Sequence, residues 1–490
     1  MSEDGAVGAP ERLHPLFLIT GLGGSLRRAG GAFAAAAYFA ATGKWGLVLI
    51  MLPILLVVLI GGLFLYWRHF EYRVGRSEIR IDSGILTRTH RSIPFDRIQD
   101  VDITQTLVAR FFGLARVKFE TGGSAGARDD DGVLQAITLP RAEALRAQVR
   151  ARRGVVPEAA SDGLTAPAPP IYAMSLKRVA LAGLFNFSLA LLAGLFGLTQ
   201  TFGDIAGFDP FSRRFWREAL SVGSPLLDLI LAHRIAAGLA GVVVLTIVGL
   251  ATGMIRALLR EHGFRLDRSG TGLRRRRGLL TLSDVTLPIK RAQAAIIGTG
   301  PLRDRFGWRD LRLQSLARDE STKGDHIVAP LADDAEVAAI LAELDWRAVA
   351  PDLVWHQVSP AYAWGFTFAA LLLCIPAAVQ FLFMPWIGAL GFAAIGGMIL
   401  ARWLGWRRYR YTLDGDRLLV RSGWWRRRLI ILPLASVQSV DFRENMLSRR
   451  FGTASLTIGV AGGSGFARHG VAALPRETAR GLRSDLLSRF

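Results

Sequence analysis

Residues 92–114 read "SIPFDRIQDVDITQTLVARFFGL". Alternating apolar and polar residues after a proline predict a strand of a water-soluble sheet, and the closing Phe-Gly pair predicts a turn. The skeleton of this stretch returns twice, each time after a segment suited to lipid. Gly84, Pro94, Gln99, Phe112 and Gly113 define a frame, G-x9-P-x4-Q-x12-F-G. Gly278, Pro288, Gln293, Phe306 and Gly307 repeat it without a gap, and so do Gly423, Pro433, Gln438, Phe451 and Gly452. Five positions at identical spacing in three places mark internal duplication. The offsets, 194 and then 145 residues, differ because a long loop and a linker precede the second copy.

Flanking residues extend the match. An alternating pattern precedes the glycine, as in "SEIRIDSG" and "DRLLVRSG", and the glycine suits a hairpin turn that needs positive φ. The proline cannot donate to a sheet and marks a strand start or edge. A further strand follows it, "IQDVDIT", "AQAAIIG" or "VQSVDFR", and another follows the Phe-Gly pair, "ARVKFET", "DLRLQSL" or "ASLTIGV". Each copy closes with a proline and a helical pattern, at "LPRAEALRAQVRARR", "PLADDAEVAAILAEL" and "LPRETARGLRSDLLSRF". Short strands ending in one helix describe a small antiparallel barrel or sandwich capped by that helix.

Half of the chain, 51%, is apolar, yet the formal net charge is +20, a combination characteristic of membrane proteins. The basic excess is mostly arginine, which fits either a GC-rich genome or a face pressed against anionic lipid, where each cation contributes about 1 kcal/mol. Trp45 to Tyr66 holds 22 positions without a charge, enough to span the hydrocarbon. Val179–Phe202, Ile235–Ile255, Ala361–Phe383 and Trp386–Ala401 read likewise. Ala29–Thr42 is a shorter run of 14 residues; its place just before the next helix argues for a sixth span, although it also fits a re-entrant piece or a cleaved signal peptide.

The loop from Phe202 to Arg234 balances Asp204, Asp209, Glu218 and Asp228 against Arg213, Arg214, Arg217 and Arg234. The basic excess therefore lies on the other side, the cytoplasm, together with both termini. Within that loop, apolar and basic residues interleave from Asp209 to Leu231 as in an interfacial helix pair. No ionisable residue falls inside the apolar cores of the spans, which counts against a proton-driven transporter or pump. Small residues recur at four-residue spacing, Ala193 and Gly197, Gly249 and Gly253, and Ala389, Ala393 and Gly397, as at close helix contacts.

The expected fold is an α+β membrane protein with about six transmembrane helices in three hairpins, each followed by an antiparallel β-barrel with a C-terminal helix. Its parts are a cytoplasmic N-terminal segment (1–28), a first hairpin (29–66), a first β domain (70–152) and a linker (153–176). A second hairpin (177–256) carries the outside loop 203–234, followed by a second β domain (262–346), a third hairpin (361–402) and a third β domain (408–490).

These residues resemble the bacterial pleckstrin-homology-like (PH-like) domain of membrane-flanked proteins, the YdbS-like type, in the version with three such domains. The opening "ERLHPLFLITGLGGSLRR", with Leu-His-Pro before the first hydrophobic segment, is similar too. The resemblance covers nearly the whole chain and implies seven-stranded, helix-capped barrels facing the cytoplasm; the frame itself carries no reaction. The second copy departs most, with Ala292 and Ala294–Ala295 where the others have Ile98 with Asp100–Val101, or Val437 with Ser439–Val440.

The hairpin that turns at the frame glycine is basic in every copy: Arg88 and Arg91 in the first, Arg274, Arg275, Arg276 and Arg277 in the second, and Trp424, Trp425, Arg426, Arg427 and Arg428 in the third. It is similar in place to the loop where eukaryotic PH domains dock phosphoinositides, but the spaced Lys and Arg signature of those binders is not reproduced. Contact with anionic phospholipid headgroups, a solvated charge run that sets topology, and a site for a protein partner all remain open; a smaller protein with a related PH-like domain is the candidate partner. Nucleic acid is not expected, because topology already accounts for the basic clusters.

No catalytic constellation is visible, so an enzyme is not expected. The eight histidines show no metal-ligand spacing, and Cys374 is the single cysteine. "RDDDGV" at 128–133 lacks a complete Ca²⁺ loop, and "GLGGS" at 21–25 and "AGGSG" at 461–465 lack the lysine and helix of a phosphate loop. No cofactor is expected. The sequence points to an integral membrane protein of the bacterial inner membrane that displays three cytoplasmic domains as a scaffold; the alternative is a component of a transport or export system.

Overall fold

The computed structural model describes residues 9–41, 43–84, 89–121, 132–152, 169–186, 233–270, 272–315, 325–460 and 469–488. The outside loop up to Ala232, the second half of the Val179–Phe202 span, Arg88, most of "RDDDGV", "AGGSG" and most of the linker lie outside the described residues.

The first copy begins before its membrane helices. Strand β1 (Glu11–Arg12) precedes α1 (Phe17–Thr20), α2 (Leu22–Arg28), α3 (Gly30–Ala41) and α4 (Trp45–His69), yet it pairs antiparallel with β2 (Glu71–Val74) beyond them. Strands β3 (Glu78–Ser83) and β4 (Thr89–Pro94) complete a sheet in the order β1-β2-β3-β4. A 3-10 turn leads to β5 (Ile98–Gln105), α5 (Leu107–Phe111), β6 (Leu114–Thr121), β7 (Val133–Thr138) and the closing α6 (Leu139–Arg152). In β3, Ile79 and Ile81 turn inward while Arg80 turns to water, as the period of a strand demands. They join Ile93, Val117, Leu134 and Leu145 of α6 in one core between the two sheets.

Each frame position has a local job. All six frame glycines have positive φ, from +62° at Gly452 to +115° at Gly278, where a Cβ is strained. Phe112 caps the C-terminus of α5 and Gly113 follows in the left-handed conformation that ends a helix. The frame glutamine sits at a β-bulge in every copy: the register slips between Ile98 and Asp100, Ala292 and Ala294, and Val437 and Ser439.

The second copy repeats the order: β8 (Tyr172–Ala173), α7 (Leu176–Leu184), α8 (Arg234–Glu261), β9 (Arg265–Ser269), β10 (Gly272–Arg277), β11 (Leu282–Pro288), β12 (Ala292–Thr299), α9 (Pro301–Arg305), β13 (Arg309–Ser315), β14 (Asp325–Ala332) and α10 (Asp334–Ala342). Asp333 and Glu336 form a capping box at the start of α10. The third has β15 (His356–Gln357), α11 (Ala361–Leu371), α12 (Cys374–Phe383), α13 (Pro385–Arg408), β16 (Arg410–Asp414), β17 (Arg417–Ser422), β18 (Arg427–Pro433), β19 (Val437–Arg443), α14 (Met446–Arg450), β20 (Thr453–Val460), β21 (His469–Pro475) and α15 (Arg476–Leu487). Pro376, which cannot continue the backbone ladder, accompanies the break between α11 and α12.

Among the described residues four helices are long and apolar enough to cross a membrane: Trp45–His69, Leu239–Glu261, Ala361–Phe383 and Pro385–Arg408. The run expected at 29–42 forms α3, a helix of 12 residues that directly follows α1 and α2. Of the small residues, Gly253 lies at a close contact, since a Cβ there would stand 2.7 Å from the Gly183 carbonyl oxygen on α7, whereas Gly397 faces open space.

The barrels of the resemblance do not close. An up-and-down barrel needs β5 bonded to β4, but the outer edge of β5 takes the next copy's β11 instead, with Leu282 opposite Gln105 and Asp284 opposite Ile103. The same exchange joins β12 to β18, with Arg427 opposite Thr299 and Ile431 opposite Ala295. Counted from the frame glycine and glutamine, the two registers are identical. The described residues accordingly form two compact units that do not follow the repeat: one holds the first copy with Ala173–Arg265 and Arg275–Thr286, the other Pro169–Tyr172, Leu266–Arg274 and the chain from Leu287 on. In the second unit one antiparallel sheet runs β14-β13-β12-β18-β17-β16-β15.

Strands β1 and β15 tie membrane helices to sheets. The Trp67 indole near the end of α4 donates to the Leu13 carbonyl at 2.9 Å, and Trp406 near the end of α13 donates to the Val358 carbonyl at 3.0 Å. Leu13 and Val358, directly after the short strands, are buried. The segment that precedes each of these helical stems thus returns as part of the domain that follows it.

A candidate anion-binding site

The junction of β12 and β18 builds a strongly charged cavity of about 680 Å³. Pairing of Thr299 with Arg427 brings the third copy's turn at Gly423 over α9 and α10 of the second. Seven arginines line the cavity, Arg309, Arg407, Arg408, Arg410, Arg421, Arg427 and Arg428, against two aspartates, Asp304 and Asp334. Arg407 and Arg408 form the last turn of the apolar helix α13.

The aspartates neutralise only part of this charge. Asp304 pairs with both Arg309 and Arg427, and Arg309 also donates to Asp334 at 2.9 Å. A hydrogen bond from Arg309 holds the Asp304 carboxyl below its usual range, and the charge of Arg427 adds to this. Arg421 lies 3.8 Å above the Trp355 ring; burial and then the neighbouring Arg410 push its pKa down. Planar guanidiniums crowded against one another in a half-enclosed space offer the paired donors that a phosphate or carboxylate takes.

The predicted basic residues fall into different settings. Arg427 and Arg428 line the cavity, whereas Arg426 and Trp425 are exposed beside it, with Trp424 and Trp425 in edge contact at 5.6 Å. Arg91 lies in β4, and Arg88 is outside the described residues. Arg274 to Arg277 stand in β10, the first strand of that hairpin, and alternate members point inward: Arg275 and Arg277 are each only 3% exposed. Glu261 accepts two hydrogen bonds from Arg277, at 2.9 and 3.0 Å, and Asp284 receives Arg276 at 3.2 Å. Asp304, Arg309, Arg407, Arg408, Arg410 and Arg421 escaped the sequence reading. The "WRRYR" run at 406–410 was their only local signal, since the rest of the cavity depends on contact between copies.

A second feature recurs on the short helix before each Phe-Gly pair. Leu107 and Phe111 on α5, Leu302 on α9 with Phe306, and Met446 on α14 are exposed, Phe111 by 84% and Met446 by 86%. Phe451, after α14, stacks on Phe368 of the membrane helix α11 at 6.0 Å. No group of three or more acidic, histidine or cysteine side chains with metal-site geometry occurs among the described residues.

Repeated two-sheet domains with a closing helix, each tied to apolar helices, define a transmembrane protein carrying PH-type domains. The sequence model of the bacterial PH domain matches residues 18–153, 224–347 and 368–490, and the chain belongs to that family. It is similar to the UPF0699 transmembrane protein YdbT of Bacillus subtilis (strain 168), 23% identical over 420 residues, which cover 82% of this chain and 81% of that protein. No solved structure matches the chain.

Proposed function

We propose that the chain is a non-enzymatic scaffold of the bacterial inner membrane. Its helices form three hairpins of six spans, and its PH-like domains and both termini face the cytoplasm. The arginine cavity is a receptor for phosphate-bearing headgroups of the inner leaflet. The observation that carries this reading is the position of Arg407 and Arg408, which end a membrane helix and line the cavity at once. A headgroup phosphate at the bilayer surface is the anion such a place meets, and basic residues there favour anionic lipid. The apolar tips Phe111, Leu302 and Met446 sit in the headgroup layer in this arrangement. The remaining surface is free to recruit a protein partner, for which a smaller protein with a PH-like domain is a fitting class.

Two measurements test it. In a Cys374→Ser background, single cysteines at Glu143, Ala335 and Arg480 on the closing helices are expected to resist a membrane-impermeant maleimide in intact cells and to react after lysis; labelling from outside overturns the orientation. Native mass spectrometry of the full chain is expected to retain phosphatidylglycerol over phosphatidylcholine. Arg408→Gln combined with Arg428→Gln should abolish that preference, and an unchanged preference overturns the cavity as the receptor.

A further inference from the structure

Of the strands that the exchange between consecutive copies uses, two have no such partner among the described residues: β4 in the first copy and β19 in the third. An uncovered edge exposes backbone donors and acceptors ready to pair with another strand. β19 is the counterpart of β5 and β12, which each accept a strand from the copy that follows; β4 is the counterpart of β11 and β18, the strands they accept. The geometry points to a second copy of this chain as the partner: its β4 adds antiparallel to β19, in the register that the chain already uses twice.

That register can be written out. At the existing junctions, the residue four past the frame glycine stands opposite the residue six past the frame glutamine, Leu282 opposite Gln105 and Arg427 opposite Thr299. The same count from Gly84 and Gln438 sets Ser92 opposite Val440, Arg91 opposite Asp441, and Thr89 opposite Arg443. Arg91 and Asp441 are a complementary pair at directly facing positions, where opposite charges stabilise a sheet. Asp441 is exposed and holds Arg443 at a long 3.3 Å, so it can take a better-placed cation. This interface is heterologous, because β4 meets β19 and not itself; association is therefore open-ended unless the geometry closes a ring. The inference does not depend on lipid binding in the cavity, only on all copies lying on one side of the membrane.

The test uses the full chain in membranes, in a Cys374→Ser background. Chains bearing Arg91→Cys and chains bearing Asp441→Cys are co-expressed and oxidised. A disulfide-linked dimer is expected in the mixture and not from either chain alone, nor when Asp441→Cys is replaced by Arg480→Cys. In detergent, native mass spectrometry should show multimers of the wild type, loss of at least five-fold in multimer for Arg91→Asp, and recovery when Asp441→Arg is added. No dimer in the mixture, equal dimer with the Arg480 control, failure of the charge swap to restore association, or capture of a different protein at Asp441→Cys would each overturn a second copy as the occupant.

Discussion

Arg146 on α6 and Asp284 on β11 form an ion pair at 3.0 Å although they are 138 residues apart and belong to different copies. The guanidinium also donates to the Val101 carbonyl at 2.9 Å and to the Asp284 carbonyl at 3.0 Å, so one side chain fastens the closing helix of the first copy to the strand exchanged from the second. Neither partner exceeds 14% side-chain exposure.

Removing Arg146 leaves the half-buried Asp284 carboxylate only the more exposed Arg276 at 3.2 Å, so the cost is about 3 kcal/mol, the lower end for breaking a buried pair. Arg146→Ala should lower the thermal midpoint of the purified protein in detergent and speed proteolysis of β11. Arg146→Met, which keeps the aliphatic stem, and Asp284→Asn together should recover part of the loss. A midpoint within a degree of wild type for Arg146→Ala would reject the clasp.

The frame glycines are predicted to differ in cost although they share one motif. A Cβ at Gly423 would stand 2.0 Å from the Arg426 carbonyl oxygen, with φ at +80°, whereas Gly452 has φ at +62° and open space around it. Gly452→Ala should therefore cost about 1–2 kcal/mol, the ordinary left-handed penalty, and Gly423→Ala clearly more, since the turn itself must move. Denaturant titration of the two variants checks the order.

His469 is buried beside Gln314, its Nε2 at 2.5 Å from the amide oxygen, and burial pushes its pKa from 6.5 down to about 4. The unfolded chain therefore takes up this proton first. The native state keeps its full stability above pH 6.5 and loses about 3 kcal/mol from this group as the pH falls to 4, from 1.36 kcal/mol per unit. His469→Gln, which retains a hydrogen-bonding amide, should flatten that interval of the stability profile; an unchanged slope between pH 6.5 and 4 would show that the histidine is not the group responsible.

Much of the fold was legible before any coordinates. The strands and the closing helix of each copy follow from alternation and from the frame, because each depends on residues close together along the chain; the 3-10 turn and the short helix before the Phe-Gly pair emerged only from the structure. The frame glutamine is a middle case: its spacing was plain, but that it marks a bulge emerged only from the register. The four basic residues before Gly278 were placed in the hairpin but not assigned a face, since four arginines in a row hide the alternation of a strand whose Arg277 reaches Glu261.

The sequence by itself determined that three copies of one β domain alternate with apolar helices, since periodicity and spacing are properties of the chain that contact cannot alter. Tertiary structure decided which edges bond. Backbone hydrogen bonds carry no side-chain signature, so nothing in the spelling of "IQDVDIT" or "RRLIILP" announces that their strands will cross from one copy to the next. The arginine cavity is a product of that crossing, and its charge was readable only residue by residue until the fold gathered it in one place.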